Sequence, residues 1–376
     1  MSNNKQIICG VVAEYNPFHE GHAYQIREAR RKSGADIMIA VMSGNFVQRG
    51  EPAVIDKWKR AEAAVANGID AVIELPYFYA TQAATGFANG AVAILKMAGV
   101  NDICFGSECG NLDNLKEIAE TPVNPDHLRA CMDKGMSYPK AYSLLAGEME
   151  PNDILAVSYL KAIQNTDIAP VLVQRKGSYL DENIKDYASA LAIRKAIKEK
   201  RELHGSTPMA QVLNESTPVW MESFYPYFRT FLLTSDPERL SEMFLYSEGI
   251  GNLMTHKAMQ EETYEGFLKA CVNYRYTAGR IRRCMLQGML QLTKKEVNEL
   301  SPLHTLRILA FNQTGRKWLH DQRDSDIQIA SRFAAMPKDW RALEYRSTLL
   351  YTSVLPEKER NRILDREIRG AQFIDQ

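Results

Sequence analysis

The residues with the most chemical content stand near the start of the chain, in Glu14-Tyr15-Asn16-Pro17-Phe18-His19-Glu20-Gly21-His22. Two histidines flank a glycine in a His-x-Gly-His spacing, between an apolar strand-like run and a helix-like run. At such a junction this spacing suits a phosphate. Gly21 lets a backbone approach an anion closely. A helix that starts here points unpaired N–H groups and the positive end of its dipole at that anion. Residues three apart share one side of the first turn. His19 and His22 can therefore both donate to phosphate oxygens as charge builds up during attack at an α-phosphorus. That reaction needs positioning and charge stabilisation, and no covalent intermediate on the protein. Zinc binding is the competing use of two histidines. It wants a third ligand, and Glu14 and Glu20 stand at poor spacing for one.

A second element is Ser189-Ala-Leu-Ala-Ile-Arg194. It reads as a helix with Ser189 as N-cap and Arg194 in the second turn. By itself it is equally a plain capped helix with a solvated arginine. Beside a phosphate site, Arg194 gains a role as a clamp on β- and γ-phosphates, since guanidinium binds phosphate through paired hydrogen bonds.

These side chains need a scaffold, and the first half of the chain alternates strand and helix signals. Strands are expected at 7–13, 36–42, 71–75, 102–105 and 170–174, and helices at 21–32, 56–66, 85–97 and 189–200. The stretch 126–161 reads as helical, with a new helix beginning at Ile154. Largely apolar strands separated by helices predict a doubly wound parallel sheet of the α/β class, covered on both faces. Ligands of such sheets bind outside the carboxyl ends of the strands. The loops there hold Asn16-Pro17, Ser43-Gly44-Asn45, Gly50-Glu51-Pro52 and Gly106. The loop 43–51 reads as a lid or as a wall of an acid site, where Asn45 and Arg49 have the chemistry to hold a carboxylate. Lys57, Lys59 and Arg60 read as a solvated helix face. After about residue 206 the strand signals fade, and 206–376 is expected to form a mostly helical domain behind a nucleotide-binding domain of 1–205.

The chain has 376 residues, 24% charged and 45% hydrophobic, with 46 Lys+Arg against 46 Asp+Glu. This is the composition of a globular protein and excludes a disordered chain. The zero net charge gives no bulk pull toward nucleic acid or anionic membrane. No apolar run reaches the length of a membrane span, and the polar first six residues have no signal layout, so a cytoplasmic protein without a membrane partner is expected. The six cysteines form no C-x-x-C pair and read as free thiols. Tyr274-Arg-Tyr-Thr-Ala-Gly-Arg-Ile-Arg-Arg283 interleaves aromatics with Arg275, Arg280, Arg282 and Arg283, a pattern that suits phosphates and unpaired bases. Arg27, Arg30, Arg31 and Lys32 form a second basic cluster. Both clusters are also ordinary for solvated helix faces.

The order strand, His-x-Gly-His, further strand–helix units, then Ser-x-x-x-Ile-Arg resembles the nucleotidylyl transferase superfamily. Its usual second motif, I-S-S-T-x-I-R, is matched here by Tyr187-Ala-Ser-Ala-Leu-Ala-Ile-Arg194 without the Thr. The longer segments Val12-Ala-Glu-Tyr-Asn-Pro-Phe-His-Glu-Gly-His22, Met42-Ser-Gly-Asn-Phe-Val-Gln-Arg-Gly-Glu-Pro52, Phe105-Gly-Ser-Glu108, Pro151-Asn-Asp-Ile154 and Gln174-Arg-Lys176 resemble one narrower family, the bacterial tRNA(Met) cytidine acetate ligases. The resemblance implies ATP-dependent activation of acetate to acetyl-adenylate. It further implies transfer of the acetyl group to N4 of the wobble cytidine of elongator tRNA(Met). It places ATP on Val12, Ala13, Glu14, Tyr15, Asn16, Pro17, Phe18, His19, Glu20, Gly21, His22, Ala23, Tyr24 and Gln25, and on Gly106, Asn152 and Arg175. Ser189 and Arg194 join this set from the second motif, and His19 and His22 are the catalytic pair. Arg175 and Arg194 compete for the clamp role. Mg2+ is expected to accompany ATP, with no ligand cluster of its own in the sequence. A small-molecule adenylyltransferase or pantothenate synthetase-like ligase is the alternative, sharing the first half-reaction with a metabolite as acceptor. A binding module without activity is a third reading, against which the intact His19, Gly21 and His22 argue.

Overall fold

The structure, a computed structural model, describes residues 6–136, 141–142, 144–145, 147, 149–174, 188–203, 205–324 and 327–375. Its strands are β1 Ile8–Ala13, β2 Ile37–Ser43, β3 Phe46–Val47, β4 Glu51–Pro52, β5 Ala71–Leu75, β6 Asp102–Ser107, β7 Ala169–Gln174, β8 Thr305–Phe311, β9 Gln328–Ala330 and β10 Gln372–Phe373. The helices that frame the site are α1 Glu20–Ser33, α2 Lys57–Ala66, α3 Ala84–Met97, α4 Pro151–Ile163, α5 Ala190–Lys198 and α6 Ala278–Leu290. Two more, α7 Lys338–Thr352 and α8 Glu357–Ile368, follow near the end.

The main sheet runs β10-β8-β5-β2-β1-β6-β7, with β9 also paired to β8. The pairs β1–β2, β2–β5, β1–β6 and β6–β7 are parallel, and β5–β8 is antiparallel. From β1 the chain moves outward through β2 and β5, then returns to place β6 on the other side of β1. That reversal opens a crevice at the carboxyl ends of β1 and β6, where α/β sheets bind ligands.

Both faces of the sheet are buried, as a parallel sheet requires. In β2, Met38, Ala40 and Met42 join the core under α1, α2 and α5. Ile37, Ile39 and Val41 face the opposite core with α3 and α4. The helix starts expected from sequence have their caps. Asp56 Oδ1 accepts from the backbone N–H groups of Trp58 and Lys59 at the start of α2, and Ser189 Oγ accepts from Ala192 N at the start of α5. Gly34, at φ +66°, ends α1 in the left-handed conformation.

The second half, expected to be mostly helical, also carries strands that the sequence reading did not place. A helical body with its own apolar core extends from Val219 to Leu292. Beyond it, β8, β9 and β10 return to the sheet. The apolar run of β8 is interrupted by Arg307, which hid its strand character. Arg307 is buried and belongs to a charge cluster in the interior. Its guanidinium binds Glu74 at 2.7 Å and Glu367 at 2.8 Å. Lys57 binds the same two carboxylates at 2.7 and 2.9 Å. Lys57 and Arg60, expected on a solvated face, are both fully buried, so that expectation is corrected. The face of α2 that carries them packs toward the sheet because acidic partners from β5 and α8 neutralise Lys57 there. Arg60 is held by four backbone carbonyls.

The loop 43–51 is a small antiparallel hairpin of β3 and β4. Phe46 is seated in the helical core against Tyr77, Phe224 and Tyr351. Asn45 is buried and binds Thr348 Oγ1 and Lys57 N, so it is structural and holds no carboxylate. No helix among the described residues is long and apolar enough to cross a membrane.

Candidate active site

The loop after β1 turns back sharply. Tyr15 has φ +48°, a conformation that costs energy for a non-glycine residue. The turn is held from below by Arg60. Its guanidinium donates to the carbonyls of Glu14 (2.6 Å), Ser43 (3.1 Å), Ile55 (3.1 Å) and Gly44. One buried cation thus ties together the carboxyl ends of β1 and β2. Asn16 fixes the next step, with Oδ1 accepting from Val54 N at 2.7 Å.

His19 then caps α1. Its Nδ1 accepts from Gly21 N at 3.1 Å, and His22 Nδ1 accepts from His19 N at 3.3 Å. This is a capping box built from two imidazoles. Both Nδ1 atoms act as acceptors, so in each neutral ring the proton sits on Nε2, which is a donor. The rings stack with centroids 3.7 Å apart, and Tyr15 packs edge-on against His22 at 4.9 Å. Gly21 serves this pair directly. A Cβ there would fall 2.8 Å from His19 Cε1.

A cavity of about 380 Å³ opens above this pair. Its floor is the ends of β1 (Val12, Ala13), β6 (Phe105, Gly106) and β7 (Val173, Gln174). Its walls include the first residues or N-caps of five helices: Gly21 and His22 of α1, Ala83 and Ala84 of α3, Pro151 and Asn152 of α4, Ser189 and Ala190 of α5, and Thr277 of α6. Each contributes the positive end of a helix dipole. Arg49, Arg194 and Arg283 also line the cavity. With Glu14 and Glu51 also in its lining, the cavity still carries three arginines and five helix starts, groups that suit a polyphosphate.

Of the site residues expected from the sequence, Val12, Ala13, Glu14, Tyr15, Asn16, His19, Gly21, His22, Tyr24, Gln25, Gly106, Asn152, Ser189 and Arg194 line the cavity. Pro17, Phe18 and Ala23 are buried and do not line it, nor does the partly exposed Glu20. Phe18 and Ala23 pack in the core and position the loop. Arg175 lies outside the described residues, as do Lys176 and Tyr187. Arg194 Nη1 donates to Asn16 O at 2.7 Å, which ties α5 to the loop that carries the histidines.

The β6 side is also built tightly. Asp153, buried at the start of α4, accepts from Ser107 Oγ, from Glu108 N at 3.1 Å and from Cys109 N at 3.4 Å. Asn152 donates to Glu108. These bonds clamp the turn after Gly106 onto the N-terminus of α4.

A further wall is made by Gln48, Arg49 and Glu51, from the loop read in the sequence as a lid or wall, together with Thr277 and Arg283 of the helical half, which sequence reasoning did not place there. Glu14 Oε1 accepts from Gln48 N at 2.9 Å. Burial raises the pKa of Glu14, opposed by Arg49, by the Gln48 N–H and by Arg194. Arg282 pairs with Glu51 at 2.7 Å and also reaches Tyr264. Arg280 binds Leu245 O and Ser247. Three of the four arginines expected to face RNA thus turn inward, and Arg275 remains exposed. In the other cluster Arg30 is tied to Asp70 and Arg31 to Glu28. The only cue for the inward set was Gly50. At φ +78°, its absent side chain leaves room for the Arg282–Arg283 backbone, 2.6 Å from where a Cβ would stand.

Comparison with known proteins agrees with this geometry. The sequence model described as HIGH Nucleotidyl Transferase matches residues 7–366. The chain is 38% identical over 369 residues to a tRNA(Met) cytidine acetate ligase of Limosilactobacillus reuteri, covering 93% of this chain and 96% of that protein. It is 35% identical over 399 residues to the protein of the same name from Oceanobacillus iheyensis, covering 97% and 99%. A crystal structure of Thermotoga maritima TmcAL bound with alpha-thio ATP superposes with a TM-score of 0.88 at 31% identity, over 99% of this chain and 100% of that one. The apo form of that protein gives 0.89 at 32%, with the same coverage. With sheet, histidine pair and full-length similarity in agreement, the chain belongs to the tRNA(Met) cytidine acetate ligases, within the HIGH nucleotidyl transferase family.

Proposed function

We propose that this chain activates acetate with ATP and transfers the acetyl group to N4 of the wobble cytidine of elongator tRNA(Met), forming N4-acetylcytidine. The observation that carries the reading is the stacked His19–His22 pair at the head of α1, inside a cavity ringed by five helix starts. ATP binds with its phosphates against these N–H groups. An acetate oxygen attacks the α-phosphorus, an O–P bond forms, the Pα–O–Pβ bond breaks and pyrophosphate leaves. His19 and His22 donate from Nε2 to the phosphate oxygens whose charge grows, and Arg194 neutralises the pyrophosphate.

In the second step the cytidine N4 attacks the acetyl carbonyl, the C–O bond to AMP breaks, and the amine loses one proton. An acyl-adenylate is a mixed anhydride and needs no protein nucleophile. The base must reach it unpaired and turned out of its stack. Exposed Tyr274 and Arg275, at the foot of α6, are the side chains we assign to the RNA. Among the described residues no three His, Cys, Asp or Glu cluster to form a metal cage. In this reading Mg2+ arrives on the phosphates of ATP as part of the substrate, and the chain acts in the cytoplasm, where tRNA is modified.

The test is ATP–pyrophosphate exchange with acetate and with a panel of longer acids, with and without tRNA. Acetate-dependent exchange is expected in the wild type. His19→Ala and His22→Ala are expected to abolish it while keeping the fold. Exchange at wild-type rate in either variant would overturn the catalytic assignment. Exchange with no acid at all would turn the reading toward nucleotidyl transfer onto a metabolite.

A further inference from the structure

Arg283 is the one cavity-lining residue from the body of α6. Its Nη1 donates to Gln48 O at 3.2 Å, and among the described residues no carboxylate pairs with it. Its neighbour Arg282 has Glu51, so the hairpin already has its ion pair. Burial lowers the pKa of Arg283 to about 10, and the cation of Arg280 pushes in the same direction. A partly buried guanidinium without a counter-charge is costly. With a single carbonyl engaged, most of its donors remain for a ligand.

The reaction needs a second anion site of its own. The attacking and leaving oxygens stand roughly in line through the α-phosphorus. The acid must therefore lie on the far side of that phosphorus from the pyrophosphate. Its cation cannot be the group that clamps the β- and γ-phosphates. Arg194 comes from α5 and is fixed to Asn16 O. Arg283 comes from another wall and is fixed to the hairpin. We infer that Arg283 is the residue that binds the carboxylate of the acid, holding one oxygen while the other attacks phosphorus. This rests on the ligase reading above. It also gives Gln48 a role, since its carbonyl accepts from Arg283 and its N–H donates to Glu14. The backbone of one residue thus links the acid-binding cation to the end of β1.

The experiment is steady-state ATP–pyrophosphate exchange with acetate and ATP varied separately. Arg283→Gln is expected to raise KM for acetate at least tenfold and to leave KM for ATP within twofold. Arg283→Lys keeps the charge but loses the planar fork, and a roughly threefold rise in KM for acetate is expected. Arg282→Gln is the control for a loosened hairpin, which moves both KM values together. If Arg283→Gln does not fold, Arg283→Lys carries the test through the same split. An unchanged KM for acetate, or equal rises for acetate and ATP, would overturn the inference. Wild-type protein without acetate-dependent exchange would instead remove the ligase reading on which it rests.

Discussion

Gly21→Ala is the smallest change that reaches the histidine pair. The new Cβ would stand 2.8 Å from His19 Cε1 and 3.0 Å from Nδ1. Comfortable carbon contacts begin near ~3.5 Å, so the ring has to move by roughly 0.7 Å. The clash is with a side-chain ring and not with backbone, so the ring swings and the backbone keeps its course. The swing breaks the 3.1 Å bond from Gly21 N and disturbs the 3.7 Å stack on His22. A lost N-cap costs about 1 kcal/mol. Replacing glycine by alanine inside a helix returns about 0.5–1 kcal/mol. The two nearly cancel, so the melting temperature should move by no more than a few degrees. Misplacing a positioned group by close to 1 Å costs on the order of a hundredfold in rate. Gly21→Ala is therefore expected to melt like the wild type and to catalyse acetate-dependent ATP–pyrophosphate exchange about a hundredfold more slowly. Both readouts are needed. Exchange within threefold of wild type, with melting unchanged, would show that the glycine does not set the histidine geometry.

Other consequences can be checked separately. Lys57→Met leaves Glu74 and Glu367 with Arg307 as their shared cation, and a loss of about 3–5 kcal/mol is expected in denaturant unfolding. A loss below about 1 kcal/mol would show that the buried cluster contributes little. Burial, with repulsion from Glu74, pushes the Glu344 carboxyl up to about 8. The unfolded chain ionises it near 4.5 while the folded protein keeps its proton, so its contribution to stability falls as pH rises between those values and levels off above the upper one. Glu344→Gln should remove that part of the slope, and identical slopes in the two proteins would contradict the assignment. Asp153→Asn weakens the clamp on the turn after Gly106, and KM for ATP should rise severalfold with kcat little changed; a fall in kcat alone would point elsewhere. Binding of tRNA should weaken steeply with salt, and a Tyr274→Ala, Arg275→Ala double variant should weaken it further without affecting exchange by the tRNA-free enzyme.

Much of the scaffold was legible because its signals are local. Asp56 and Ser189 announce helix starts within a turn of where they occur. The strands that flank His19 and Gly106 are short apolar runs bounded by polar loops. The capping box was not legible in that form. The spacing put two imidazoles on one helical turn, but it did not say that the Nδ1 of each would accept a backbone N–H. Lys57 was misread for a different reason. Its partner Glu367 stands 310 residues away, and periodicity within α2 carries no information about a carboxylate at that distance. Arg307 disguised β8 in the same way, since a charge inside an apolar run reads as exposed until its buried partners are known.

The same distance effect explains why the second half was expected to stand apart from the catalytic machinery. The hairpin is only a few residues long, yet Phe46 is packed in the helical core and Gln48 and Glu51 are bound to Arg283 and Arg282. The N–H of Gln48 is bound to Glu14, at the end of β1. A shift of α6 therefore cannot leave the cavity unchanged, because α6 supplies both Thr277 and Arg283 to its wall. Tyr274 and Arg275 lie just before the N-cap of this helix. RNA held there, as proposed above, would pull on the element that also lines the cavity. Coupling through packed contacts of this kind needs no separate relay, only that the hairpin and α6 move as one body. The ion pair from Glu51, the carbonyl bond at Gln48 and the close backbone contact at Gly50 provide that rigidity.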